Sequence, residues 1–160
     1  MNRNDAVMIA VAPNGARKTQ QDHPQLPISP KEIAHTAAAC LDAGACMLHL
    51  HVRDENLGHS LDAQHYTETI HAIRQQVGNE LIIQVTTEAV GIYSREQQIQ
   101  TVVDVRPEAV SLAIRELSPA GADEKISAEF FSFLQREHIA PQYILYDKED
   151  ILHFRELLAR

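Results

Sequence analysis

Five short apolar runs rich in β-formers alternate with longer stretches whose apolar residues recur at helical spacing, and this alternation restricts the chain more than any other feature. The runs are Ala6 to Ala12, Cys46 to Val52, Leu81 to Thr86, Ala109 to Ile114 and Gln142 to Tyr146. Their starts lie about 30 to 40 residues apart, which is room for a strand, a crossover helix and a return. A strand that returns through a helix pairs parallel to its predecessor, so the expected class is α/β with a parallel sheet.

The helices are marked by their ends. Ser29-Pro30-Lys31-Glu32 combines a Ser cap, a Pro at the first helical position and a Glu three residues on, and the helix it opens carries Ile33, Ala37, Ala38 and Leu41 on to Gly44. Ser94-Arg95-Glu96-Gln97 repeats the device ahead of Ile99, Val102 and Val103. Asp62 or Ala63 opens a third helix with Tyr66, Ile70 and Ile73 on one face, and two more follow Ser127 and Lys148. The connection from Asn14 to Ile28 is long, with Gly15, Pro24 and Pro27, and loops of that length in compact domains are often functional.

Polar residues crowd the C-terminal ends of the strands: Asn14, His49-x-His51-x-Arg53-Asp54, Thr86-Thr87-Glu88, Arg115-Glu116 and Asp147. The first βα connection has no Gly-x-Gly-x-x-Gly turn, which removes support for an open dinucleotide-binding sheet. In a closed barrel those strand ends meet at one mouth. Strand order alone does not separate an open doubly wound sheet from a closed barrel, and the polar strand ends favour a parallel (βα) barrel of the TIM type, the first five βα units of eight, as one domain over residues 1–160. With 160 residues and 44% hydrophobic content there is material for one core. Against 14 Lys and Arg stand 22 Asp and Glu, a formal charge of −8 that argues against nucleic acid and anionic membranes as partners. No apolar run approaches the ~20 residues of a membrane span. Cys40 and Cys46 lack metal or redox spacing and read as buried thiols, in keeping with a reducing cytoplasm.

His49 and His51 are the sharpest chemical signal. Two apart on a strand, they share a face, with Leu48, Leu50 and Val52 on the other, and two imidazoles at that spacing can converge on one divalent ion. A catalytic zinc site usually has a third protein ligand. Asp147, Glu88 and Glu116 all lie at strand ends and are candidates, each equally readable as a hydrogen-bonded or ion-paired carboxylate. Thr86 and Thr87 are positioned to bond a carboxylate or oxyanion, or are ordinary strand-end residues. Arg115 and Glu116 read as an ion pair at the rim or as part of the site. Arg17, Lys18 and His23 give the first loop a cationic character. The histidines at 35, 59, 65, 71, 138 and 153 have no partner spacing and receive no role.

With these residues in view, the chain resembles the β-keto acid cleavage enzymes, the family that includes 3-keto-5-aminohexanoate cleavage enzyme. The likeness is carried by Ala12-Pro13-Asn14-Gly15-Ala16-Arg17 with His23-Pro24 and Leu26-Pro27, then Ala43-Gly44-Ala45 leading into His49-Leu50-His51-Val52-Arg53-Asp54. It continues through Gln84-Val85-Thr86-Thr87, Pro107-Glu108-Ala109-Val110-Ser111-Leu112 and Ala140-Pro141-Gln142-Tyr143. The resemblance implies a (βα)8 barrel with Zn2+ on the first two histidines, His49 and His51, and on a glutamate from a late strand. It further implies condensation of a β-keto acid with acetyl-CoA to give acetoacetate and a new CoA thioester. Thr86 matches a Ser/Thr that contacts substrate, and Asn14, Arg17 and Thr87 join it as candidate substrate-binding residues. Glu116 falls where some members have Thr and is, with Thr86, the candidate catalytic residue. Arg17 falls where some have a Glu that recognises a substrate amino group, which leaves the acyl substrate open. The family's glutamate ligand and its proton-abstracting arginine and aspartate belong to the second half of the barrel. The expectation is thus a partial chain, inactive alone, that forms a homo-oligomer or associates with a C-terminal half. Two alternatives stand beside it: another metal-dependent lyase or hydrolase on the same barrel, and a non-catalytic remnant.

Overall fold

A computed structural model of the chain describes residues 7–121 and 123–159. Along the chain it has β1 (Ala10–Val11), α1 (Pro30–Asp42), β2 (Met47–Leu50), β3 (Val52–Arg53), β4 (His59–Ser60), α2 (Ala63–Val77) and β5 (Ile82–Thr86). It continues with α3 (Arg95–Val105), β6 (Ala109–Ala113), α4 (Ile114–Leu117), α5 (Glu124–Arg136), β7 (Ala140–Ile144) and α6 (Lys148–Leu158). Five strands form one sheet in the order β1-β2-β5-β6-β7, and β3 with β4 is a separate antiparallel pair. β1 runs parallel to β2 with Ala10 opposite Met47, and β6 runs parallel to β7 from Ala109 opposite Ala140 to Ala113 opposite Ile144. This is the α/β alternation of the first five units of a (βα) barrel, as the sequence predicts. Ala6, placed at the start of the first predicted strand, lies outside the described residues.

The described residues group into two compact units, 7–60 with 64–84, and 61–63 with 85–159. In the first, α1 begins as its cap demands: the Ser29 side chain accepts from Glu32 N, and the Glu32 side chain accepts from Ser29 N. It ends in a Schellman turn, with Gly44 N donating to Leu41 O and Ala45 N to Cys40 O. Gly44 takes φ +98°, a conformation open to glycine at little cost. Ile33 and Ala37 of α1, Leu48 and Leu50 of β2, and Tyr66 and Ile73 of α2 are its main buried apolar side chains. Ile70, expected on the inner face of α2, is only partly buried. The second unit has a core of Val102, Val110, Leu112, Ile114, Leu117, Phe130, Leu134 and Ile139. Each such side chain contributes about 1.5–3 kcal/mol by leaving water.

Several boundaries differ from the sequence reading, and of the first predicted strand only Ala10–Val11 is paired as β1. The second predicted strand stops at Leu50, and Val52 opens a hairpin closed by Asp54, whose N donates to Gly58 O and whose Oδ1 accepts from Asn56 N and Gly58 N. β7 starts two residues early because it is an edge strand, where Pro141 and its missing N–H are tolerated. The turn of α4 takes Ile114 out of its predicted strand, and α5 starts at Glu124 on an Asp123 cap, leaving Ser127 buried with its Oγ donating to Leu117 O. Cys40 and Cys46, expected to be buried, are free thiols only partly covered. No described helix is long and apolar enough to cross a membrane.

Candidate functional site

The alternation in β2 turns Leu48 and Leu50 inward and sets His49 on the opposite face. His51 follows in the single residue between β2 and β3 and is buried, at 4% exposure. The two rings meet edge to face with Nε2 to Nε2 at 3.1 Å. His49 Nδ1 lies 2.8 Å from Gln84 Oε1 on β5. An acceptor oxygen there places the proton of a neutral His49 on Nδ1 and leaves its Nε2 lone pair facing His51. Burial, and then the neighbouring His49, His59 and Arg53, hold the His51 pKa down at about 3, so its imidazole is neutral.

This pair fits a divalent ion. The two Nε2 atoms, 3.1 Å apart, are the groups that would hold it. Two ligands are fewer than a protein zinc site usually has. Among the described residues no group of three or more His, Cys, Asp or Glu is arranged to hold an ion. The hairpin brings His59 beside His51, ring centres 5.4 Å apart, yet the three histidines do not form such a group.

The first loop is fastened to this segment. Asn14 Nδ2 donates to His51 O at 3.1 Å and to Pro27 O at 3.2 Å, while its Oδ1 is buried with no hydrogen-bond partner. Arg53 donates to Leu57 O at 3.0 Å, to Lys18 O at 3.0 Å and to Gly15 O. Arg17 is exposed on the loop so held.

In the second unit, the residues at the ends of β5 and β6 bond mainly to one another. Thr86 Oγ1 accepts from Glu88 N at 3.1 Å, and Thr87 spends both its N and its Oγ1 on Ser111 O, each at 3.2 Å. Glu116 Oε2 accepts from Ala89 N at 3.4 Å. With its amide nitrogen turned toward them, the buried Gln98 donates to Thr87 O at 2.9 Å and Glu116 Oε2 at 3.2 Å. Burial raises the Glu116 pKa, opposed by the Ala89 bond, with Glu88 adding to the rise. Arg115 does not pair with Glu116. It binds Asp150 on α6 at 2.8 Å, binds Asp147, and stacks on Tyr146 with 4.6 Å from its Cζ to the ring centre. Asp147, a candidate third metal ligand, is thus engaged by Arg115 and also caps α6.

Three residues of these clusters were missed in the sequence. His59 needs the hairpin, whose Asp54…Gly58 turn was a usable signal. Gln84 is a lone amide within an apolar strand, also visible beforehand. Gln98 gives no local signal, being one glutamine of Gln97-Gln98 on a polar helix.

Residues 6–160 match the family described as BKACE, beta-keto acid cleavage enzyme. The chain belongs to this family. A 53-residue stretch is 43% identical to 3,5-dioxohexanoate:acetyl-CoA acetone transferase of Paraburkholderia graminis, covering 33% of the chain and 17% of that relative. A 70-residue stretch is 34% identical to 3-keto-5-aminohexanoate cleavage enzyme of Fusobacterium nucleatum, covering 44% of the chain and 26% of that relative. The structure is similar to the solved ternary complex of ObcA with C4-CoA adduct and oxalate, with a TM-score of 0.68 and 18% identity over 85% of the chain and 34% of the ObcA chain. The chain thus spans about a quarter or less of the curated relatives it matches and about a third of ObcA.

Proposed function

We propose that this chain forms part of a zinc-dependent enzyme that exchanges acyl groups between a β-keto acid and acetyl-CoA. In the net reaction R–CO–CH2–COO⁻ and CH3–CO–SCoA give CH3–CO–CH2–COO⁻ and R–CO–SCoA, which balances without a further reactant. The observation that carries the metal part is the His49 and His51 pair, two imidazoles with Nε2 atoms 3.1 Å apart. His49 and His51 would hold the ion, and a third ligand would come from elsewhere. When bound, the ion supplies Lewis-acid polarisation of the keto acid carbonyl and its enolate. The acyl-exchange part is supported by family membership and by relatives whose names carry acetyl-CoA, among them 3-oxoadipate:acetyl-CoA acetyltransferase of Cupriavidus necator.

In this reading Asn14 offers its buried Oδ1 toward substrate, Arg17 adds positive charge from the loop, and Thr86 and Thr87 line the end of β5. Glu116, whose pKa burial raises, holds and releases a proton. The chain alone is inactive and completes its ligand set in a homo-oligomer or with a C-terminal half, in the cytoplasm. The deciding experiment is elemental analysis of purified wild type against a His49→Ala, His51→Ala double variant. Zinc should be present in the first and lost in the second. Equal zinc in both would remove the metal reading.

A further inference from the structure

We infer that Gln84 is a positioning residue: its side-chain oxygen fixes the tautomer of His49, so that the Nε2 lone pair faces His51. The proposal rests on the metal reading above for its functional meaning. A neutral imidazole carries one proton, and the nitrogen opposite an acceptor oxygen must be the one that bears it. Gln84 Oε1 sits 2.8 Å from His49 Nδ1, within ordinary N–H···O range, so the proton belongs on Nδ1. Nε2 is then bare and, at 3.1 Å, placed to accept from a His51 Nε2–H. An ion would replace that one proton between the two nitrogens.

The setting makes the contact firm. Gln84 is 3% exposed on β5, between the buried Ile83 and Val85, so its amide cannot swing into solvent without opening the strand. Ligating histidines generally donate their other ring N–H to such an acceptor, and losing that acceptor typically weakens metal binding 10- to 100-fold. An amide oxygen does this without adding charge, whereas a carboxylate would add a negative charge beside the ion. Gln84 therefore orients His49 while leaving the charge of the centre to the ion's own ligands.

The test uses the 160-residue chain, its Gln84→Leu and Gln84→Glu variants, and two readouts. The first is the ring tautomer of His49, from long-range proton–nitrogen NMR spectra without metal. Wild type and Gln84→Glu should show the Nδ1–H form, and Gln84→Leu should lose that preference. The second is Zn2+ affinity by titration calorimetry, expected to fall about 10- to 100-fold in Gln84→Leu and to hold or rise in Gln84→Glu. An Nε2–H tautomer in wild type, or the same tautomer in all three, overturns the proposal whatever zinc does. If Gln84→Leu does not fold, the tautomer in wild type and Gln84→Glu still decides. A wild type that shows the Nδ1–H tautomer but binds no Zn2+ overturns the metal reading and leaves the positioning role of Gln84 standing.

Discussion

Asn14 Nδ2 donates to the backbone carbonyl of His51 across 37 positions of sequence, tying the long first loop to the candidate metal centre. The same nitrogen reaches Pro27 O at the far end of that loop. One amide thus closes the loop on itself and on the histidine. Asn14→Ala should lose about 1–3 kcal/mol of stability by leaving two partly buried carbonyls without a donor. Asn14→Asp should lose more, because it sets a carboxylate against those carbonyls. Denaturant unfolding of the three proteins checks both; an unchanged midpoint in Asn14→Asp would contradict the contact.

Glu32 gives the acid limb of stability. Its carboxylate accepts from the backbone N–H groups of Ser29 and Ile28, then from the Ser29 hydroxyl, which lowers its pKa from 4.5 to about 2. A depressed carboxyl pKa stabilises the fold above pH 4.5, and that contribution is lost as pH falls from about 4.5 to 2. Glu32→Gln keeps the capping shape without the charge. At pH 7 it should cost about 1 kcal/mol, well under the full linkage value, because the carboxylate is open to solvent. The difference from wild type should vanish near pH 2, as read from urea midpoints across the pH range.

Glu116 has the opposite sign. Its raised pKa means that the folded chain binds this proton more readily than the unfolded chain does, so its favourable contribution is complete below pH 4.5 and fades as pH rises through the folded value. Glu116→Gln should therefore be relatively more stable than wild type at neutral pH than at pH 4. Gln98→Leu removes a donor to the carboxylate and should raise its pKa further in a carboxyl NMR titration. A downward movement would show that Gln98 does not donate to it.

Arg17 is the specificity prediction. In a preparation that turns over β-keto acid, Arg17→Glu should raise the kcat/KM ratio for amino-bearing over neutral acyl groups by about tenfold, or ~1.4 kcal/mol. An unaltered ratio would take Arg17 out of substrate recognition.

The parts of the fold that were legible in the sequence are those set by local chemistry. The Ser29 and Ser94 capping boxes form as their residues dictate, because both partners lie within one turn. Four of the five sheet strands fall close to their predicted places, since a run such as Ala109 to Ala113 is buried along its whole length, while β1 is reduced to Ala10–Val11. The end of β2 was hidden because His51-Val52-Arg53 continues its in–out alternation, so only the Asp54…Gly58 turn marks the β3–β4 hairpin. At the candidate site the histidine pair could be read from spacing. The contacts that Gln84 and Asn14 make with it could not, since 35 and 37 positions of sequence separate them from their histidine partners and only the chain's path brings each pair together.

The clamp of Arg115 on Asp147 and Asp150 bears on the order in which the second unit comes apart. Asp150 is the one residue of α6 that is fully buried, while Phe154 and Leu157 are only partly covered against the core. The helix is therefore moored by charge where its neighbours are moored by grease. Dissolved salt loosens the first kind of mooring and tightens the second. Raising ionic strength should let α6 lift and reseat while β6 and α5 stay shut, a breathing motion that amide exchange would date to α6 ahead of everything around it.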